Sequence, residues 1–527
     1  MKLYIKAFYL IIALLALNAC ENYDVLVKNP NLPTTVPPAL LLTGALEHMN
    51  DANAWNGKMG SQSAAQFYVS TYDYYGTNNY DQGPFIQTTN NFEYTKVLQN
   101  VVQMELEAIN AGQPDVNPYS ALAKFLKAFY YNLMSQKLGD VPLTEALLGP
   151  ENPRPVYDSQ KDVYIQILKW LDESNADIAS LIASNDATLS GDIYLGNSLG
   201  KWQKIVNSFT LRVLISLSKK EADGDLNIKS KFAAIIGDPA KYPVMSSTGD
   251  NLQYTYNVAY NPYPKNPTSL GRDGTRENVG SVFMGLATSL KDPRTFVVGT
   301  PAPAKIIAGK AFTDFDAYVG APAGLSMSDL GVNAQGGEYS YINALRYSFD
   351  FAGSKAEPAM IIGYPELCFN IAEGINRGWT SGDAGSWYTK GITASMNFLG
   401  VTEGSSVTVG NLTGTIVYGS VDNLSIATYL AQPAVAYKSG TDGLNQILNQ
   451  KYLAFWQNSN WEAFFNQRRT GVPTFSSGPG SGNGNKIAKR WQYPRAEVDS
   501  NGSHYSEAVQ RQFSGVDDLD GTLWINQ

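Results

Sequence analysis

The sequence predicts a mainly α fold in which stacked helix pairs support long irregular loops, with a minor β-hairpin component. Three observations predict it. Long segments carry apolar residues at i, i+3, i+4 and i+7. Stretches rich in Tyr, Asn, Gly and Pro separate them, and one short stretch alternates Val and Thr between glycines.

Taken in order, the chain begins with Lys2 and Lys6 ahead of an apolar run from Ala7 to Leu17. That run is too short for the roughly 20 residues of a spanning helix and fits a cleaved export signal. It closes with Leu17-Asn18-Ala19-Cys20, which resembles a bacterial lipoprotein signal spanning residues 1–19, with Cys20 as the lipid-modified new N-terminus. The alternative is an ordinary secretory signal with Cys20 incidental. Each buried lipid CH₂ contributes about 0.8 kcal/mol, so a multiply acylated Cys20 would stay on its membrane. Residues 20–38 contain several prolines and no helical period, as a tether would, and residues 39–527 read as one body without an internal linker.

Within the body, Leu122, Phe125, Leu126, Phe129, Tyr130 and Leu133 place a helix over 119–138, with Gly139 at its end. Val163, Ile167, Leu168 and Leu171 predict a second, with Ser159 as N-cap. Trp202, Ile205, Val206, Phe209, Val213 and Leu217 predict a third. Further helical patterns run through 97–109, 281–290, 360–377 and 444–456. The stretch "SSVTVGNLTGTIVYGS" reads as a hairpin.

The search for catalytic chemistry is mostly eliminative. Only His48 and His504 are present, and neither H-E-x-x-H nor paired C-x-x-C occurs, so no metal or other cofactor is expected. "GNSLG" at 196–200 matches G-x-S-x-G but follows a polar, turn-like segment and reads as a helix entry. "SSGPGSGNGNK" lacks phosphate-loop spacing and reads as a flexible turn. Cys368 lies in a helical pattern and reads as a small buried side chain. Removing Lys2 and Lys6 from 39 basic residues leaves 37 against 47 acidic, a net charge near −10, which argues against a nucleic-acid partner.

The window "FYVSTYDYYGTNNYDQGPF", from Phe67 to Phe85, holds seven aromatics where the 12% composition would give about two. A sugar ring has an apolar C–H face that suits an aromatic plane, and hydroxyls that need short polar partners. The ligand candidates are therefore Tyr72, Tyr74, Tyr75, Asn78, Asn79 and Tyr80, with Tyr260 and Tyr263 from the similar stretch "NLQYTYNVAYNPYPKNP". Packing of these tyrosines against the body is the alternative.

The Cys20 leader, "FLKAFYYNLMSQKLGDVPLTEAL", "GKWQKIVNSFTLRVLISLSKK", "LKDPR", "WYTKGITASMNFLG" and "NSNWEAFFNQRRTGVPTF" together resemble the SusD/RagB family of nutrient-binding outer-membrane lipoproteins, in family order from end to end. The resemblance implies tetratricopeptide-like helix pairs under irregular loops. It also implies a cell-surface position over a SusC-like TonB-dependent transporter, and capture of oligosaccharide, or of peptide in some branches, without catalysis. No ligand residue is carried over by motif. In the late motif, Trp461, Phe464 and Phe465 should pack inward, and Arg468 and Arg469 should bridge carboxylates or carbonyls. An exported glycoside hydrolase is the remaining alternative.

Overall fold

The computed structural model describes residues 35–50, 60–72, 74, 77–257, 259, 262–264, 274–350 and 356–527, the side chains of 348–350 excepted. The leader, Cys20, most of the tether, Tyr75 and Tyr260 lie outside the described residues.

Three long helices form the pedestal: α1 (Pro118–Leu138), α2 (Gln160–Ala183) and α3 (Leu199–Ser216). Helix α1 starts where the Asn117 side chain accepts from the Tyr119 and Ser120 N–H groups while Ser120 answers as the other half of a capping box. It ends at Gly139, whose φ of 93° is a conformation glycine adopts at low cost. Ser159 caps α2 by accepting from Asp162 N–H at 3.2 Å, and Ser198 of the "GNSLG" stretch caps α3, so this serine begins a helix as expected. Phe125 packs against Trp202 and Phe209 with ring centroids 5.6 and 5.7 Å apart, joining α1 to α3 across a dry seam. Hydrogen bonds from Ser174 to the Ala121 carbonyl and from Gln203 to Asn175 tie the flanks.

Three two-stranded antiparallel ribbons occur among the described residues: β1 (Tyr68–Ser70) with β3 (Glu277–Val279), β2 (Leu252–Tyr254) with β4 (Ala359–Ile362), and β5 (Ser405–Gly410) with β6 (Val417–Leu424). The last is the expected hairpin. The expected helix over 360–377 is corrected at its start: 360–362 belong to β4, because Gly363 interrupts the apolar run and Pro365 suits the first turn of the helix that follows. Val69 of β1 also belongs to a small satellite core with Ala321, Ala323, Leu330, Ala334 and Tyr339, contributed partly by α4 (Met327–Gln335). This satellite core underlies the loop that leaves β1.

Behind α3 stand α5 (Tyr364–Asn376), α6 (Ala384–Phe398), α7 (Gly440–Ala454) and α8 (Glu462–Thr470). Gly391 lets α6 approach α5, since a Cβ there would lie 2.8 Å from the Phe369 ring. Buried charges then bolt the helices together. Arg212 of α3 donates to both Glu366 oxygens of α5, at 2.7 and 2.6 Å. Arg469 of α8 donates to both Glu373 oxygens of α5, at 2.6 and 3.0 Å, while Arg377 also donates to Glu373. Lys451 of α7 is satisfied by the Asn370 and Asn466 side-chain oxygens. Such bidentate, hydrogen-bonded pairs fix helix registry, and removal of one partner leaves a buried charge exposed to a low-dielectric interior.

Asp140, next to Gly139, reaches beyond its own turn. It accepts from the Gln160 N–H at the start of α2 and from Arg511 near the C-terminal end, because the turn at Gly139 aims its carboxylate across the gap.

Candidate functional site

The aromatic window divides sharply by burial. Phe67, Tyr68, Tyr80 and Phe85 are core residues, whereas Tyr72 is 40% and Tyr74 76% exposed. The reason lies in how the loop after β1 is held. On the near side, Thr71 N–H donates to the Arg276 carbonyl at 2.8 Å and its hydroxyl to Asn278 Oδ1 at 2.8 Å. On the far side, Asn78 closes the loop upon itself: its Oδ1 accepts from Ser70 N–H at 3.0 Å and its Nδ2 donates to the Ser70 carbonyl at 2.9 Å. Two residues later the Tyr80 hydroxyl donates to the Ala64 carbonyl at 2.7 Å, and its N–H to that of Ser481 at 2.7 Å. Burial raises the Tyr80 phenol pKa well above its ordinary value, so it stays neutral.

The expectation of ligand-facing side chains at Asn78, Tyr80 and Tyr263 gives way to packing. Asn78 is consumed in pairing the Ser70 backbone, and Tyr80 is 1% exposed. Tyr263 is buried edge-on against Tyr256 at 5.1 Å, which continues to Tyr254 at 5.6 Å. The edge of one ring against the face of the next is a favoured arrangement of aromatic quadrupoles. Asn79 is half-buried beside Thr77, whose hydroxyl accepts from Asn79 N–H at 3.0 Å. Tyr72 and Tyr74 are thus exposed after β1, and Thr77 and Asn79, half-buried, and Asp81, exposed, follow in the chain. The Arg276 guanidinium lies 5.1 Å from the Tyr72 ring centroid, and exposed Val332 sits on α4, whose Gly331 abuts Thr71.

One contributor was misjudged from sequence. The glycine-rich stretch 476–486, read as a flexible turn, is a packed wall of this surface. Ser476 N–H donates to Gln66 Oε1, Gly480 N–H to the Gly324 carbonyl and Asn483 N–H to Asp81 Oδ2. Its glycines serve close approach: a Cβ at Gly480 would lie 1.9 Å from the Leu325 carbonyl, and one at Gly482 2.3 Å from Asp81 Oδ1.

The described residues here carry phenol faces and short polar groups. Elsewhere, burial pushes the Cys368 thiol up to about 12, leaving it a packed apolar group. Trp461, Phe464 and Phe465 do pack inward around Trp491. Among the described residues no cluster of side chains suits a metal ion, and no helix is long and apolar enough to cross a membrane.

Residues 30–494 match the SusD-like family described as starch-binding and associating with the outer membrane. The chain is similar to a SusD homolog from Bacteroides fragilis, with 31% identity, a TM-score of 0.78, and coverage of 93% of this chain and 100% of that one. It is similar to a second SusD homolog from Bacteroides fragilis, with 29% identity, a TM-score of 0.74, and coverage of 94% and 100%. A chitin-binding SusD homolog from Flavobacterium johnsoniae shares the fold at 18% identity and a TM-score of 0.68, covering 92% of this chain and 98% of that one. No curated protein matches the chain.

Proposed function

This chain belongs to the SusD-like family of proteins associating with the outer membrane, and from that premise we propose that it is a lipid-anchored, cell-surface receptor for oligosaccharides. It captures a glycan on the Tyr72–Tyr74 surface and passes it, chemically unaltered, to a TonB-dependent transporter of the SusC type. The observation that carries the reading is the contrast within one window: most of its described rings are core, yet Tyr72 and Tyr74 are held out into solvent on a loop pinned at both ends. An exposed phenol ring offers an apolar face against which the C–H face of a sugar can lie. In this reading Thr77, Asn79 and Asp81, which follow the rings in sequence, supply partners for the sugar hydroxyls.

Cys20 would fix the body to lipid, and residues 20–38 would give it reach over the transporter. Calorimetric titration with a panel of neutral oligosaccharides tests the capture step. The proposal expects at least one glycan to bind and Tyr74→Ala to weaken it about tenfold, roughly 1.4 kcal/mol. Silence across the panel, or new reducing ends appearing on incubation with polysaccharide, would overturn it.

A further inference from the structure

The late motif contains two adjacent arginines with opposite fates. Arg469 is fully compensated by Glu373. Arg468 has no carboxylate partner: it donates to the Lys489 carbonyl at 3.0 Å and to Gln136 Oε1 at 2.8 Å, and its buried Nε has no acceptor. Burial lowers its pKa to about 10, with Tyr164 and Glu462 opposing only weakly. Its guanidinium is met by two neutral oxygens and by the Phe465 ring, whose centroid lies 5.0 Å away, and by no carboxylate in direct contact.

Arg468 lines a cleft of about 400 Å³. This lies within the roughly 300–1,000 Å³ of small-ligand pockets. Every charged side chain lining it is a cation: Lys219 and Lys489 at the rim, and Arg468. Lys219 donates to the Asn526 carbonyl at 2.7 Å, which uses one of its three N–H donors. The nearby Asp520 carboxylate is engaged by Lys486 at 2.6 Å and Asn483 at 3.1 Å and does not line the cleft. Three cations thus line one cleft on a chain whose formal charge is −8. The remaining wall sets half-buried Ile487 beside the hydroxyl and amide groups of Thr522 and Gln467, while Leu523 is buried in the core.

We propose that this cleft is a second ligand site, taking an acidic monosaccharide with its carboxylate among Lys219, Lys489 and Arg468 and its C–H face against Ile487. It shares no lining residue with the tyrosine surface, so it stands or falls apart from the oligosaccharide reading.

The test is calorimetry on the full-length protein in detergent, titrated at constant ionic strength with D-glucuronate, D-glucose and sodium sulfate. Glucuronate is expected to bind at least about tenfold more tightly than glucose or sulfate. The Lys219→Ala/Lys489→Ala variant, altered only at the exposed rim, should lose about tenfold, and Tyr74→Ala should change nothing. Equal binding of glucose would remove the charge recognition. Sulfate binding as tightly as glucuronate would reduce the site to a simple anion hole and overturn the sugar-acid assignment. An unaffected double-lysine variant would place binding elsewhere.

Discussion

Replacing Glu373 by Gln removes the carboxylate on which Arg469 and Arg377 converge, and its effect can be worked from the structure. Burial alone would raise the Glu373 pKa. Arg469 with its two hydrogen bonds, helped by Lys451 and Arg377, outweighs that and brings it from 4.5 to about 2. At about 1.4 kcal/mol for each power of ten, the ionised form contributes about 3 kcal/mol to the folded state. The loss on replacement should therefore be about 3–5 kcal/mol at neutral pH, the upper part reflecting two arginines left without their anion. The native carboxyl binds its proton less tightly than the unfolded one, so the unfolded chain carries more protons between about pH 4.5 and 2. The contribution is thus full above that window and lost as pH falls through it, reaching about half by pH 3. Urea unfolding followed by tryptophan fluorescence, for both proteins at pH 7 and pH 3, measures it. A loss under about 1 kcal/mol at pH 7, or a difference of the same size at both pH values, would refute the reasoning.

Other outcomes follow from separate parts of the molecule. Gly280→Ala would place a Cβ 2.0 Å from the Gln66 carbonyl, so it should lower stability by about 1–3 kcal/mol, read as a lower urea midpoint; an unchanged midpoint would contradict the close approach. Cys368, buried with its thiol pKa pushed up to about 12, should resist iodoacetamide at pH 8 until the protein is unfolded, and rapid labelling of native protein would contradict that placement. Cys20→Ala should move the protein from the membrane fraction to the soluble one, whereas unchanged retention on membranes would remove the lipid anchor from the account.

The sequence made the helical pedestal legible because its apolar spacing is regular and its ends carry recognisable caps at Ser159 and Gly139, whereas the capping box at Asn117 emerges only in the structure. The start of α5 was less so, since Ala359–Ile362 is equally apolar as strand or helix and only pairing with β2 decides it. The loop tyrosines were legible as a cluster but not as individuals. Tyr74 and Tyr80 lie in the same Tyr/Asn composition, and what separates them is tertiary: an Ala64 carbonyl and the Phe85 and Phe464 rings wait for Tyr80 alone. The same holds for Arg468 and Arg469, adjacent in sequence, of which only one meets a carboxylate. The glycines of 478–482 signalled freedom, whereas the fold uses them for contact.

The most direct measurement of the central claim is a crystal structure of the protein with a bound oligosaccharide identified by titration. A sugar ring is expected against Tyr74, with its hydroxyls within hydrogen-bonding distance of Asn79 or Asp81. A glycan seated away from both Tyr72 and Tyr74 would contradict it.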